Sequence, residues 1–232
     1  MRGLRVSSGE RRQQHPSFTR IASHRHLRPY STLVLAGGYR EAGESGRWRV
    51  EAGMLVVHAA GEAHADWFGD RPTELIDFGV GMSLAAGVYR CTDADQLART
   101  LIDRDRTLDE FGNLELVSGE ADWPDLLATS LRENPALAIG DWASEHGLRA
   151  ETVSRGFNQA YGVTPAQYRS GVRVKCAVNS LASGSDSLAD VAFRHGFADQ
   201  PHMTRAVKAA FGSTPAELRA VKSVQEGSFR FA

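Results

Sequence analysis

Eight polar side chains at helical spacing carry the most specific chemistry in this chain. Within 151–161, Val153, Phe157 and Ala160 recur every three or four residues and define an inward stripe, which turns Glu151, Ser154, Arg155 and Asn158 to the opposite face. Within 200–211, Met203, Val207 and Phe211 do the same and leave Gln200, Thr204, Arg205 and Lys208 outside. Arg155 and Arg205 can each donate two parallel hydrogen bonds to O6 and N7 of guanine. Gln200 can pair with adenine, and Lys208 is suited to neutralise a phosphate. That is the chemistry of a major-groove reader. An arginine on a solvated helix face needs no such role, so the reading depends on the elements that present these residues.

The stretch Leu188 to Arg219, LADVAFRHGFADQPHMTRAVKAAFGSTPAELR, reads as helix, glycine turn, helix, and a Thr-Pro start to a third helix. Leu188, Val191 and Ala192 form one apolar stripe, and Met203, Val207, Ala210 and Phe211 form its counterpart across the Gly196 hinge. Asp199 is placed to cap the second helix, with Pro201 in its first turn. This is the pattern of a helix-turn-helix, whose second helix enters the DNA major groove. It occurs twice. Gly140 to Arg169, GDWASEHGLRAETVSRGFNQAYGVTPAQYR, aligns Ala143 with Ala192, His146-Gly147 with His195-Gly196, and Phe157 with Val207. It also aligns Tyr161 with Phe211, Thr164-Pro165 with Thr214-Pro215, and Arg169 with Arg219. One copy alone could be a mere helical hairpin; two copies with the same glycine, aromatic and Thr-Pro punctuation argue against that.

At these residues the chain resembles the DNA-binding region of the AraC/XylS family of bacterial transcription regulators. The shared pattern is carried by Gly196-Phe197, Asp199-Gln200, Arg205, Lys208, Gly212 and Thr214-Pro215, within a resemblance spanning 136–222. Pro201, Met203, Val207 and Ser213 depart from it, at a usual serine, two usual aromatics and a usual apolar position. The resemblance implies two helix-turn-helix units joined by a long helix, here about 165–182, with the matching outward residues reaching the groove. It further implies a sensory domain before them, and activation through contact with RNA polymerase as the usual output, repression being the alternative.

At 232 residues the chain suits two modest domains, each able to bury its own core. Charge divides unevenly: residues 1–135 carry 16 Lys+Arg against 20 Asp+Glu, net −4, and 136–222 carry 10 against 7, net +3. Only Cys91 and Cys176 are present, one in each half, which excludes a disulfide framework and a cysteine-rich zinc site. No apolar run approaches the roughly 18 residues of a membrane span. The first residues, MRGLRVSSGERRQQHPS, are basic and lack the apolar core of a signal peptide, so 1–19 is expected to be a disordered arm and the protein cytoplasmic. No Ser-His-Asp, phosphate-loop or dinucleotide signature is present.

Between the arm and the helical half, Ser31–Leu35, Arg47–Val50, Met54–His58 and Glu74–Phe78 read as short strands separated by glycine clusters, as in a small all-β sandwich or barrel. His24-x-His26, then Tyr30 and Gly37, resembles the first cupin motif with tyrosine in the place of glutamate. Gly53 to His64 resembles the second, with Ala59 in the place of proline. In metal-binding cupins the matching side chains converge on a divalent ion. The resemblance therefore implies His24, His26 and His64 as ligands of Zn²⁺ or a similar ion, with Glu41, Glu44 or His58 as candidates for a fourth. The same face, with Tyr30, is also the candidate pocket for a small-molecule effector, and the histidines could line that pocket with no metal at all.

Beyond Gly87 the chain is expected to be helical. Asp93 caps a helix that puts Leu97, Leu101 and Ile102 on one face, and a second runs from Trp123-Pro124 through Leu126, Leu127 and Leu131 to an end at Pro135. These stripes could pack on the barrel or, as the family resemblance implies, pair two subunits. The expected organisation is an arm (1–19), a cupin-like barrel (20–84), a helical linker or dimerisation region (85–135), the double helix-turn-helix (136–222) and a tail (223–232). The fold class is α+β with two domains. The function expected is a promoter-DNA-binding regulator, acting as a homodimer under an effector and not as an enzyme. The alternative is a cupin metalloenzyme, of isomerase or dioxygenase type, with a helical appendage.

Overall fold

The computed structural model describes residues 6–80, 84–102 and 114–220. It divides into two compact units: residues up to 126 together with 157–162, and 127–156 together with residues from 163 onward.

Among the described residues the first unit holds ten strands: β1 (Val6–His15), β2 (Arg20–Arg25), β3 (Tyr30–Ala36), β4 (Gly38–Gly43), β5 (Arg47–Glu51), β6 (Met54–His58), β7 (Ala63–Phe68), β8 (Thr73–Val80), β9 (Gly87–Cys91) and β10 (Leu114–Leu116). They form two antiparallel sheets, one in the order β1-β8-β3-β6-β9-β10 and the other β2-β7-β4-β5. The larger sheet is buried on both faces. Val34, Val56 and Leu75 pack with Tyr39, Trp48, Val50 and Phe68 of the smaller sheet. Leu33, Leu55, Val57, Ile76 and Phe78 turn the other way, against Leu97 of helix α1 (Ala94–Ile102). Alternation along β3 sends the neighbours Leu33 and Val34 to opposite cores, which explains why this strand reads as a continuous apolar run. Arg47 on β5 is buried. It donates to Asp125 from Nε at 3.2 Å and from Nη2 at 2.9 Å, also meets Asp122, and so ties 120–125 to the sheet.

Two expectations fail here. The expected arm supplies β1, paired along β8 from His15↔Thr73 to Val6↔Val80. Its sequence conceals this because the ladder is held by backbone hydrogen bonds and by polar contacts, Arg12 to Glu74 and Gln13 to Asp77, rather than by an apolar face. The region expected to be helical after Gly87 contains β9 and β10, which extend the larger sheet beyond 84. Residues 1–5, the tail 223–232 and the side chains of Leu101 and Ile102 lie outside the described residues.

The second unit is helical: α2 (Trp123–Glu133) from Leu127 on, α3 (Ile139–Glu145), α4 (Ala150–Tyr161) up to Gly156, α5 (Pro165–Ser183), α6 (Leu188–Arg194) and α7 (Gln200–Phe211). Leu127 and Leu131 are fully buried within the chain and Leu126 is half-exposed. The leucine stripe of α2 is thus largely used in intramolecular packing. Gly147 and Gly196 take φ of 65° and 71° just after the C-caps of α3 and α6, a left-handed turn that residues with a Cβ adopt at a cost. Asp199 caps α7 through the His202 N–H at 2.6 Å, and Thr164 and Gln167 form a reciprocal capping box at α5. Met203 and Val207, where the resembling family has aromatics, are fully buried in one cluster with Val174, Leu181, Val191 and Phe211. Replacement of Met203 by Ala is expected to cost about 2–5 kcal/mol of unfolding free energy, read by urea titration monitored by far-UV circular dichroism.

Candidate effector pocket and candidate nucleic-acid interface

The smaller sheet has an unusual inner face. Strand alternation points Tyr39 and Glu41 of β4, and His64, Asp66 and Phe68 of β7, into a cavity of about 230 Å³. His24, His26, Tyr30, His58 and Asp77 also stand on its wall, with Arg11, Gln13, His15 and Thr32 among its other polar residues. One ring nitrogen from each of His24, His26 and His64 lies within 4.8 Å of the other two. Ring centroids separate His24 from His64 by 4.3 Å and from His26 by 4.9 Å. The residues expected from the two cupin-like motifs are therefore gathered in one place, with the Tyr30 hydroxyl 3.0 Å from Nε2 of His64.

Burial decides the charge of this wall. Desolvation lowers His64 and His26, and brings His58 down to about 3, so these imidazoles are neutral near pH 7. The same cause raises Glu41 and Asp77 and pushes Asp66 up to about 7, with neighbouring carboxylates adding to the shift of Glu41 and Asp66. Nδ1 of His24 donates to the Ala22 carbonyl at 3.1 Å, which turns Nε2 away from that carbonyl. Nδ1 of His58, Nδ1 of His64 and Oδ1 of Asp66 are buried without a hydrogen-bond partner among the described residues. Imidazoles within reach of one another, those of His26 and His64 neutral, with carboxyl groups on the same wall, fit a divalent ion of borderline softness such as Zn²⁺.

Of the three candidates for a fourth ligand, Glu41 and His58 are on the cavity wall, whereas Glu44 is engaged at 2.6 Å by Arg25 and lies off it. Asp66, Asp77, Tyr39 and His15 also line the cavity and were not anticipated. The signal for Asp66 was present, since it stands two residues from His64 and shares its face. That for Asp77 was not, because its place depends on the pairing of β8 with β1 and β3 and on hydrogen bonds from Thr32 and Gln13.

In the helices, Val153 and Phe157 of α4 and Met203 and Val207 of α7 are fully buried. Glu151, Ser154, Arg155, Asn158, Gln200, Arg205 and Lys208 are exposed, and Thr204 is half-buried. The repeat extends to a brace that was not anticipated. Arg169 donates to the Leu137 carbonyl at 3.1 Å, and its counterpart Arg219 donates to the Asp186 carbonyl at 2.8 Å. Each holds the chain two residues before the first helix of its own unit, α3 or α6.

Residues 142–220 match the model of a helix-turn-helix domain. The chain is 32% identical over 93 residues to the probable transcription factor PqrA of Proteus vulgaris, covering 40% of this chain and 76% of that protein. The chain belongs to the AraC/XylS family. It is also 32% identical over 77 residues to the transcriptional activator RhaS of Klebsiella pneumoniae, but that match covers 33% of this chain and only 28% of RhaS. Among solved structures, ToxT of Vibrio cholerae O395 aligns over 93% of this chain and 98% of its own at 8% identity, with a TM-score of 0.45.

Glu41 generates a pH prediction. Its folded-state pKa lies above the ordinary carboxylate value, so the native state binds its proton more tightly than the unfolded chain. Wild-type stability therefore falls as pH rises from the carboxylate range toward the raised value. Chelator-treated Glu41→Gln is expected to melt above wild type at pH 8, with the advantage shrinking toward pH 4.5, as followed by differential scanning fluorimetry.

Proposed function

We propose that this chain is an effector-responsive transcription regulator that reads promoter DNA with α4 and α7. The observation that carries the reading is the duplicated helix-turn-helix, in which both copies bury the same apolar stripe and expose polar residues able to address base edges. Arg155 and Arg205 contact guanine, Gln200 contacts adenine and Lys208 contacts phosphate. Glu151, Ser154, Asn158 and Thr204 complete the two reading faces. The family relationship supports activation through RNA polymerase, a homodimeric state, a cytoplasmic location and a regulatory rather than enzymatic role. Among the described residues no helix is long and apolar enough to cross a membrane.

The pocket between the sheets is the effector site, with His24, His26, Tyr30 and His64 as its contacts. If the effector includes a divalent ion, His24, His26 and His64 hold it, and it supplies a cross-link between β2 and β7. Tyr30 donates or accepts at His64 and closes one side of the wall. Binding there shifts a pre-existing equilibrium between arrangements of the regulator that hold DNA differently.

Two experiments test this reading. Genomic fragments retained by the purified protein at about 150 mM salt, a choice set by the salt dependence of DNA binding, are expected to share two short blocks about one helical turn apart. Arg155→Ala is expected to cost ~1–3 kcal/mol on the selected site and to relax preference at one base pair, whereas Lys208→Ala weakens selected and random DNA alike. Equal losses on both DNAs for Arg155→Ala would remove it from base reading. For the pocket, Zn²⁺ added to chelator-treated protein is expected to raise the melting temperature, and the shift is expected to vanish in His24→Ala and His64→Ala. An unchanged shift in both variants would place the ion elsewhere.

A further inference from the structure

The outer face of the smaller sheet carries a row that the pocket does not use; at its centre the half-buried Trp67 ring lies against Gly162. Register pairs Arg20 of β2 with Trp67 of β7, Trp67 with Arg40 of β4, and Arg40 with Arg49 of β5. The four residues stand directly opposite one another across four strands. At about 4.8 Å per strand the row is roughly 14 Å long. Arg40 and Trp67 project away from the cavity because their chain neighbours Tyr39, Glu41, Asp66 and Phe68 line it; Arg20 is next to Ile21 of the same lining, and Arg49 lies between the core residues Trp48 and Val50. The guanidinium carbons of Arg20 and Arg40 lie 5.6 and 5.8 Å from the centroid of the Trp67 ring, which fixes both cations by cation–π attraction. Arg40 and Arg49 then face each other as like charges in one cross-strand pair, an arrangement that destabilises a sheet unless an anion lies against it. None of Arg20, Arg40, Arg49 and Arg71 has an ion pair or hydrogen-bond acceptor among the described residues, and all four are exposed.

Beside the row a groove of about 730 Å³ is lined by Arg40, Arg49, Arg71 and the bare backbone of Gly37, Gly38 and Gly69. Glu51 and Asp70 stand at the same groove, so the face as a whole is positive by two charges rather than four. The chain carries a formal net charge of −1 and its helical half only +3, which is little for a protein that must neutralise several phosphates. Four guanidiniums on one sheet face, two of them against tryptophan, add to that neutralisation from outside the helices. An extended array of negative charge suits a row better than a compact anion does, since one duplex strand presents a phosphate every ~3.4 Å along its axis.

We infer that the Arg20–Trp67–Arg40–Arg49 row is a second DNA contact, a sequence-independent surface for the phosphate backbone. The inference rests on the DNA-binding reading proposed above. Arg40 and Arg49 carry the load as charge donors, and Trp67 positions Arg20 and Arg40 without touching the nucleic acid.

The test compares the full-length chain with Arg40→Ala/Arg49→Ala on a selected duplex and on a random one, with affinity measured from 50 to 200 mM salt. Each lost phosphate contact lowers the slope of log affinity against log salt by ~0.9, so the double variant is expected to show a slope smaller by about 2 on both duplexes. Over that fourfold salt range wild type then loses about twelvefold more affinity than the variant. The preference for the selected duplex stays unchanged, and Arg40→Lys/Arg49→Lys returns the slope toward wild type. A lower affinity with an unchanged slope would mean a structural disturbance and overturn the inference. So would an unchanged slope together with a melting-temperature rise in 10 mM inorganic phosphate that the double variant lacks, which would make the groove a site for a small anion. A wild-type chain that does not distinguish the two duplexes would instead refute the base-reading assignment, and the slope on the random duplex would still decide the role of the row.

Discussion

Desolvation of polar groups is the constraint on which the two-sheet unit depends. A wall containing His58, His64, Glu41 and Asp66 can be withdrawn from water only if its members give up their charge, and the direction of each shift reflects that requirement. The larger sheet makes this possible. Its two apolar faces contribute most of the unit's core, so the smaller sheet can give part of its inner face to imidazoles and carboxyl groups. Phe68, Tyr39 and Trp48 keep the remainder of that face in the shared core.

The helical unit meets a different constraint with the same solution twice. A helix-turn-helix must reverse direction within a few residues and still cover its backbone. Gly147 and Gly196 provide the turn, and Arg169 and Arg219 reach back to carbonyls just before α3 and α6. These arginines donate to the backbone carbonyls of Leu137 and Asp186 and so pin the chain where it enters α3 and α6. Their charge is consequently committed to the fold, while Arg155 and Arg205 remain exposed. Two arginines of each unit thus have different duties, which spacing alone would not reveal.

How much of this was legible in the sequence follows from how each residue is used. Punctuation by glycine, Thr-Pro and Asp199 marked the helices because those residues act locally through caps and turns. The apolar runs of β3, β6 and β8 were legible for a similar reason. By contrast β2, β4 and β7 turn His24, Glu41, His64 and Asp66 toward the cavity and Arg20, Arg40 and Trp67 outward, so neither face alternates between apolar and polar. A strand that is polar on both faces has no hydrophobic period to detect. β1 was hidden for the related reason that an edge strand held by its ladder needs little apolar surface. The three histidines were found through motif spacing, whereas Asp77 depended on a pairing between residues more than forty positions apart.

The pocket's unsatisfied atoms bear on how a small effector could move a larger equilibrium. Among the described residues the buried Nδ1 atoms of His58 and His64 and Oδ1 of Asp66 have no hydrogen-bond partner, and each such atom costs about 1–3 kcal/mol relative to a paired one. A ligand that supplies partners recovers part of that cost only in the arrangement whose cavity is closed around it. An arrangement that leaves the wall open to water has nothing comparable to recover. The difference between the two is the differential affinity that a population shift requires, about 1–3 kcal/mol for a typical allosteric coupling. Two or three orphaned atoms are sufficient to supply it. A cavity satisfied throughout by its own hydrogen bonds would bind a ligand without preferring either state.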